Sequence, residues 1–473
     1  MKGRTLLPLL LLAALTVPFL LFLCRELVTA LGKGPTLSPQ RAAIASGVLF
    51  ILCPYLSFHQ RLAMVEPLFF LEAAAAAWLA VKLGGPAASP RTAVALGLWM
   101  GAAMLTRQNV SYLLWLLPVL GYVLRPQPVR TWPGRLAFLL VLSAAVSLLV
   151  WAPMLFVRQG PGLFDRLFHS RVLVESMTLR DRLAMGGENA GTIAGWFWTY
   201  LTPPVCLFAL GAFAWLWGRG QRRLVGFLAG WLLLTLAPLA LFGRFLFSRY
   251  GITAVVPPLL AAGVALAWSD EGENRPPGRW RGKTARLALT GALLVWPLYA
   301  IFLQATRWIE QPLVPLDRWQ FVSGWPAGFA TERSVEFFRA LAGERQIVLF
   351  IPRNEGNPMD TLWLSFWHNP SVLSFLLGDV FTEPLLRVGA SPGSLLVDAD
   401  PRRREPSRSL VLSSSLPIYT ASPDPILTLQ GRVAAKDLLL PRNPRLQEIA
   451  RFWNPPPRDS ATPSDGIVVY RLR

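Results

Sequence analysis

The feature that most limits this chain is the recurrence, over its first two thirds, of apolar runs long enough to cross a hydrocarbon core of about 30 Å. No water pairs with the backbone inside lipid, so an open series of such runs can satisfy its own N–H and C=O groups only as helices. With 53% hydrophobic residues and 19 Trp among 473 residues, and a mean hydropathy of +0.42, the sequence is too apolar to hide its side chains inside water-soluble domains of ordinary size. The chain is expected to be mainly α: a polytopic transmembrane bundle of about ten helices over residues 1–304, then an extracytoplasmic α/β domain over residues 305–473.

The spans read as Leu6–Cys24, Ala42–Leu56, Glu66–Val81, Thr92–Leu105, Val110–Leu124, Leu136–Phe156, Gly195–Trp217, Leu224–Phe242, Tyr250–Trp268 and Leu287–Gln304. One set of alternate loops holds Arg25, Lys33 and Arg41; Lys82 and Arg91; Arg125, Arg130 and Arg135; Arg219, Arg222 and Arg223; and the basic run from Arg275 to Arg286. By the positive-inside rule that face is cytoplasmic, and the opposite loops and the C-terminal domain lie outside. The predicted location is the inner (plasma) membrane, crossed several times.

The formal charge of +19 does not indicate nucleic acid, because the Arg residues fall in short loops and form no stripe interleaved with exposed aromatics. Membrane lipids are the partner that such loops suit. Cys24, Cys53 and Cys206 all sit inside apolar spans, so neither a disulfide framework nor a Cys-based zinc site is indicated. Arg outnumbers Lys, and Ala, Leu and Pro are plentiful, a usage that fits a bacterium with GC-rich DNA.

The same assignment places Met1 outside, although Met-Lys-Gly-Arg before an apolar run normally stays in the cytoplasm. A missing upstream helix resolves the conflict. A signal peptide is the alternative reading of residues 1–24, although no small-x-small cleavage pattern follows Phe22. Between Val157 and Ala194, charged residues including Asp165, Glu175, Asp181 and Glu188 alternate with apolar ones at helical spacing, which suggests a lid riding on the outer membrane surface. After Gln304, Thr331 is placed to cap a helix with Val335, Phe338 and Leu341 on one face and Gly343 as its stop. Short β-rich runs follow at Ile347–Ile351, Leu395–Val397, Leu410–Leu412 and Ile467–Leu472.

Ionisable groups at the ends of apolar spans are costly to desolvate, so a cluster on one face marks a candidate site. Here the outer face collects them. His59, Arg61 and Glu66 lie between the second and third spans, with Glu66 at a helix N-terminus whose dipole favours a carboxylate. Arg107 and Gln108 join two short spans, and Arg244, Arg249 and Tyr250 precede the helix that contains Pro257. The plain structural readings are a helix N-terminal acid, a polar turn and an interfacial anchor. Taken together, cations for a phosphate, a carboxylate, and aromatic and amide groups able to hold a sugar suit phosphoryl-linked sugar chemistry.

Four segments carry a resemblance. They are Ser57 to Pro67, Ser-Phe-His-Gln-Arg-Leu-Ala-Met-Val-Glu-Pro; Gly97 to Arg107, Gly-Leu-Trp-Met-Gly-Ala-Ala-Met-Leu-Thr-Arg; Ser248-Arg-Tyr250 with Pro257; and Asp317 to Phe329. In this order they resemble the C superfamily of glycosyltransferases (GT-C), in particular bacterial relatives of the dolichyl-phosphate-mannose protein mannosyltransferases and the lipid A aminoarabinose transferases. The resemblance implies an inverting cell-envelope transferase whose donor is a polyprenyl-phosphate sugar and whose acceptor is a lipid, glycan or protein, with no cofactor and no metal. It casts Glu66 as the catalytic carboxylate that orients acceptor or sugar. It casts Arg107, Arg244 and Arg249 as cations that stabilise the departing phosphate, with His59, Arg61, Gln108 and Tyr250 as further substrate contacts.

The sequence departs from that pattern at its start. The family's principal acidic residue lies in a long outer loop between its first and second helices, and residues 1–24 resemble the second. A late start codon or an incomplete gene would explain both this and the topology conflict, and would leave the chain without its principal base. Two other classes compete. A transporter predicts inverted repeats and ionisable groups at mid-membrane, and a noncatalytic scaffold predicts docking through the C-terminal domain.

Overall fold

The computed structural model describes residues 6–32, 37–61, 66–86, 88–107, 115–126, 132–153, 179–243, 246–268, 279–323, 327–353, 362, 365–366, 369, 371–379, 386–388, 394–397, 410–413, 417–424, 426–428, 431–433, 446–455 and 465–472. The chain divides into two compact units, Met1–Pro312 and Leu313–Arg473.

The first unit is helical. In chain order it comprises α1 Leu6–Leu31, α2 Pro39–Ile51, α3 Pro54–Arg61, α4 Glu66–Leu83, α5 Pro90–Thr106, α6 Leu116–Leu124, α7 Pro133–Trp151, α8 Leu179–Trp196, α9 Pro203–Gly218, α10 Arg222–Phe242, α11 Val256–Ala267 and α12 Arg279–Thr306. Several starts follow local chemistry. Ser38 and Ser89 cap α2 and α5, their hydroxyls accepting from the Arg41 and Thr92 amides, and each is followed by a Pro whose missing N–H costs nothing in a first turn. Among the described residues, five helices are long and apolar enough to cross a membrane, or seven if each of two bent pairs is one span. The chain is a multi-pass membrane protein. Other runs read as spans form helices that are shorter or more charged: α5 has 17 residues, α6 has 9, and α4 contains Glu66, Glu72 and Lys82.

The structure breaks two runs that the sequence reading kept whole. Ala42–Leu56 becomes α2 and α3, bent by 59°. Gly195–Trp217 becomes the end of α8, a π-helical turn Phe197–Leu201, and then α9 after a bend of 110°. Both breaks precede proline, whose ring pushes the residue before it out of the helical region. Thr202 stands at the second break with φ 73°, a left-handed conformation that is strained for a β-branched residue. Gly195 therefore lies inside a helix, and so does Glu188 from the expected lid, while residues 157–178 of that lid lie outside the described residues. At the other ends, α1 runs on through Arg25 and Glu26, and α12 begins at Arg279 inside the expected basic loop.

The second unit is α/β. Helix α13 Pro315–Arg318, a π-helical turn Trp319–Ser323 and α14 Phe329–Glu344 lead into β1 Ile347–Arg353, β2 Val372–Asp379, β3 Leu386–Val388, β4 Ser394–Val397, β5 Leu410–Ser413, β6 Ile418–Asp424, β7 Ile426–Thr428, β8 Gly431–Val433, β9 Leu446–Trp453 and β10 Gly466–Leu472. The main sheet has the order β2-β1-β6-β10-β9, parallel on both sides of β1 and antiparallel around β10. Alternate residues Ile347 and Leu349, Tyr419 and Ala421, and Ile467 and Val469 face one core with Val335, Phe338 and Ala342 of α14, as a period of two in strands and of 3.6 in a helix requires. The cap of α14 differs from expectation. Gly328, at φ 83°, precedes the helix, Thr331 lies within its first turn, and Gly343 is helical rather than its stop.

Candidate active site

Three segments meet at the N-terminal end of α4. Glu66 is the first residue of that helix and only 1% exposed, in the place where the helix dipole best supports a carboxylate. The second segment is the end of α5. Its Gly97 and Gly101 pack against α7 so closely that an added Cβ would lie 2.7 Å from Val146 Cβ and 2.6 Å from Val150 Cβ respectively. The Gly-x-x-x-Gly spacing is thus a device for close helix packing, and it carries Thr106 and Arg107 into place. The third is the 3₁₀ segment Ser248–Val255, which leads into α11 at its two prolines.

The groups that converge are a carboxylate and two guanidinium ions. Arg107 Nη1 donates to Glu66 Oε1 at 3.3 Å and to the Arg249 carbonyl oxygen at 3.3 Å. Arg249 Nε lies 3.8 Å from the same Oε1. Tyr250 lies between them, its ring 4.7 Å from the Arg107 guanidinium and 5.6 Å from that of Arg249, at cation–π range. Glu66 Oε2 is buried and has no hydrogen-bond partner among the described residues. The arrangement ties one carboxylate oxygen to the cations and leaves the other oriented and unused. Among the described residues two cations face one anion here, a net positive charge that suits a phosphate.

An aromatic layer supports the 3₁₀ segment. The Tyr55 hydroxyl donates to the Ser248 carbonyl, and His59 Nε2 shares a hydrogen bond of 3.0 Å with Ser248 Oγ. Tyr55 and Phe58 stack on Tyr200 at 5.0 and 5.8 Å. His59, Tyr55 and Tyr200 are fully buried, so His59 is enclosed as a strut for the turn that presents Arg249. Deeper along α4, Glu72 accepts from Thr106 Oγ1 at 3.0 Å, and its Oε2 is buried with no partner among the described residues. Thr106 is adjacent to Arg107, so this bond anchors the base of the guanidinium.

Of the residues singled out from sequence, Glu66, Arg107, Arg249 and Tyr250 form the cluster and His59 stands behind it. Arg61 is the last residue of α3, and Gln108 and Arg244 lie outside the described residues. The sequence reading missed Tyr55, Tyr200 and above all Glu72. It gave Glu72 no role, yet this acid is the seventh residue of α4 and 3% exposed. The available signal was an acid within an otherwise apolar run, which lipid makes expensive unless it is used. No group of three or more His, Cys, Asp or Glu side chains able to hold a metal occurs among the described residues.

No protein-family model matches the chain, and no curated protein matches it. Among solved structures, it is similar to the crystal structure of ArnT from Cupriavidus metallidurans in the apo state, with a TM-score of 0.53 and 14% identity over 98% of this chain and 83% of ArnT. It is also similar to the crystal structure of the same protein bound to undecaprenyl phosphate, with a TM-score of 0.52 and 16% identity over 99% of this chain and 83% of ArnT. A likeness at this identity is one of fold, and the chain shares the fold of these ArnT structures.

Proposed function

We propose that the chain is an inverting glycosyltransferase that moves a sugar from a polyprenyl-phosphate donor to a lipid, glycan or protein acceptor at the extracytoplasmic face of the inner membrane. Fold alone does not carry an activity. The observation that carries this one is the buried Glu66 carboxylate tied through one oxygen to Arg107 and Arg249. That geometry in a fold shared with a protein crystallised with undecaprenyl phosphate supports a phosphate-linked donor.

In this reading an acceptor oxygen or nitrogen bonds to the anomeric carbon as the bond from that carbon to the phosphate oxygen breaks. The electron pair stays on the phosphate, which becomes a monoester, and the acceptor's proton balances the new charge. The phosphate gains charge in the transition state, where Arg107 and Arg249 stabilise it more than in the ground state. Glu66 Oε2 accepts a hydrogen bond from a hydroxyl of the acceptor or sugar and fixes its direction. The C-terminal α/β unit is extracytoplasmic and recognises the acceptor.

The test is transfer of radiolabelled sugar from polyprenyl-phosphate donors to a membrane-lipid extract by the membrane-embedded chain. Glu66→Gln is expected to lower kcat about 10²-fold, the scale of losing one pre-organised polar group at a reacting centre, without raising KM for the donor. A folded chain that binds polyprenyl phosphate but transfers no sugar from any donor would instead be a binding protein.

A further inference from the structure

About 24 Å along α4 from Glu66, at 1.5 Å per residue, the helix ends at a cavity of approximately 170 Å³. Glu26 and Thr29 of α1, Lys82 and Gly85 at the end of α4, and Arg125 just after α6 line it. The Arg125 side chain is 4% exposed, whereas Glu26, its ion-pair partner at 3.5 Å, is 29% exposed. Arg125 Nη2 also donates to the Val81 carbonyl at 3.0 Å, so the guanidinium is held by the last turn of α4. A Cβ at Gly85 would fall 1.9 Å from Arg125 Nη1. The backbone itself therefore forms the wall beside the cation. Lys82 adds a second cation, its amine 5.3 Å from the Trp78 ring.

Among the described residues that line it, the cavity holds two cations to one carboxylate, with a cation as the buried member. A planar fork and a point charge facing one space suit tetrahedral phosphate oxygens. The cavity lies beside the end of α1, one of the helices long and apolar enough to cross a membrane, and basic cavities at the ends of such helices take acidic headgroups. We propose that this cavity binds the phosphate of an anionic lipid headgroup, on the membrane surface opposite the Glu66 cluster.

The experiment is thermal unfolding and equilibrium binding of the purified full chain in neutral detergent. Phosphatidylglycerol, phosphatidylcholine and inorganic phosphate are titrated separately. Phosphatidylglycerol is expected to bind and to raise the melting temperature, while the other two do not. Lys82→Gln should weaken phosphatidylglycerol binding about fivefold, the effect of one basic residue at a lipid surface. Glu26→Gln should strengthen it by a similar factor, because the competing carboxylate is gone. A purely structural Glu26–Arg125 pair predicts lower stability in Glu26→Gln and no gain in lipid binding, and that result overturns the proposal even if Lys82→Gln fails to fold. Equal binding of the two lipids, or binding of inorganic phosphate alone, overturns it as well.

Discussion

The two ends of α4 use the same chemistry with the roles exchanged. At Glu66 the carboxylate is buried, its side chain 2% exposed, while Arg107 and Arg249 keep 11% and 19% of theirs open. At the far end the guanidinium of Arg125 is buried and the carboxylate of Glu26 is the open partner. A buried carboxylate with open cations fixes the direction of those cations and leaves them reachable. A buried cation with an open carboxylate instead ties helix ends together, since Arg125 reaches both α1 and the last turn of α4. In both places the buried member is the anchor that fixes the direction of its partner.

The largest expected effect tests the first half of this contrast. Arg107→Gln removes the 3.3 Å bond to Glu66 and leaves Arg249 at 3.8 Å as the remaining described cation on that oxygen. Truncating one member of a desolvated charge pair costs on the order of 2–5 kcal/mol. Sugar transfer should fall about 10²-fold, with a higher KM for the donor as its phosphate loses a cation. Retention of activity within about threefold would mean that the open cations are not the working groups.

This contrast was only partly legible in the sequence. Glu66, Arg107, Arg249 and Tyr250 could be picked out one by one, because each is a polar residue at the edge of an apolar run. Their meeting could not, since Arg107 and the Arg249 carbonyl are 142 residues apart in the chain and come together only through the packing of α4, α5 and the 3₁₀ segment. The positions of the helices were readable from hydropathy, but their bends were not. The apolar run passes through Pro54 and Pro203 without a polar interruption, so a reading by hydropathy joins what proline separates. Glu72 was passed over for the same reason, one acid averaged into the alanines that follow it. At the far end, Arg125 was read as an ordinary loop cation, because burial of its guanidinium depends on Gly85, 40 residues earlier in the sequence.

A smaller effect sharpens the second half. Gly85→Ala puts a methyl group 1.9 Å from Arg125 Nη1, and the guanidinium must move off the end of α4. The cost is that of the bonds to Val81 and Glu26 that the guanidinium gives up, about 1–3 kcal/mol, to be read as a fall in melting temperature. If Arg125 is the anchor of its end, Gly85→Ala combined with Glu26→Gln should destabilise less than the sum of the two, because both act through one side chain. Strict additivity would show that Arg125 does not couple α1 to α4.

The smallest effect lies behind the Glu66 end. Tyr55→Phe keeps the stack on Tyr200 and deletes only the hydroxyl that donates to the Ser248 carbonyl. A net loss near 1 kcal/mol of stability is expected for one intramolecular hydrogen bond. The functional consequence separates two roles for the aromatic layer. If Tyr55 and His59 serve to hold the turn that presents Arg249, Tyr55→Phe should raise KM for the donor severalfold and leave the choice among sugars unchanged, since no sugar contact is lost. A change in sugar preference would place the hydroxyl in the binding site itself. His59→Gln provides the companion measurement, because an amide can keep a bond to Ser248 Oγ while losing the ring that packs between Tyr55 and Phe58. Partial recovery in His59→Gln relative to His59→Ala would show that the hydrogen bond to Ser248 positions the turn, whereas equal losses in both would assign that task to ring packing.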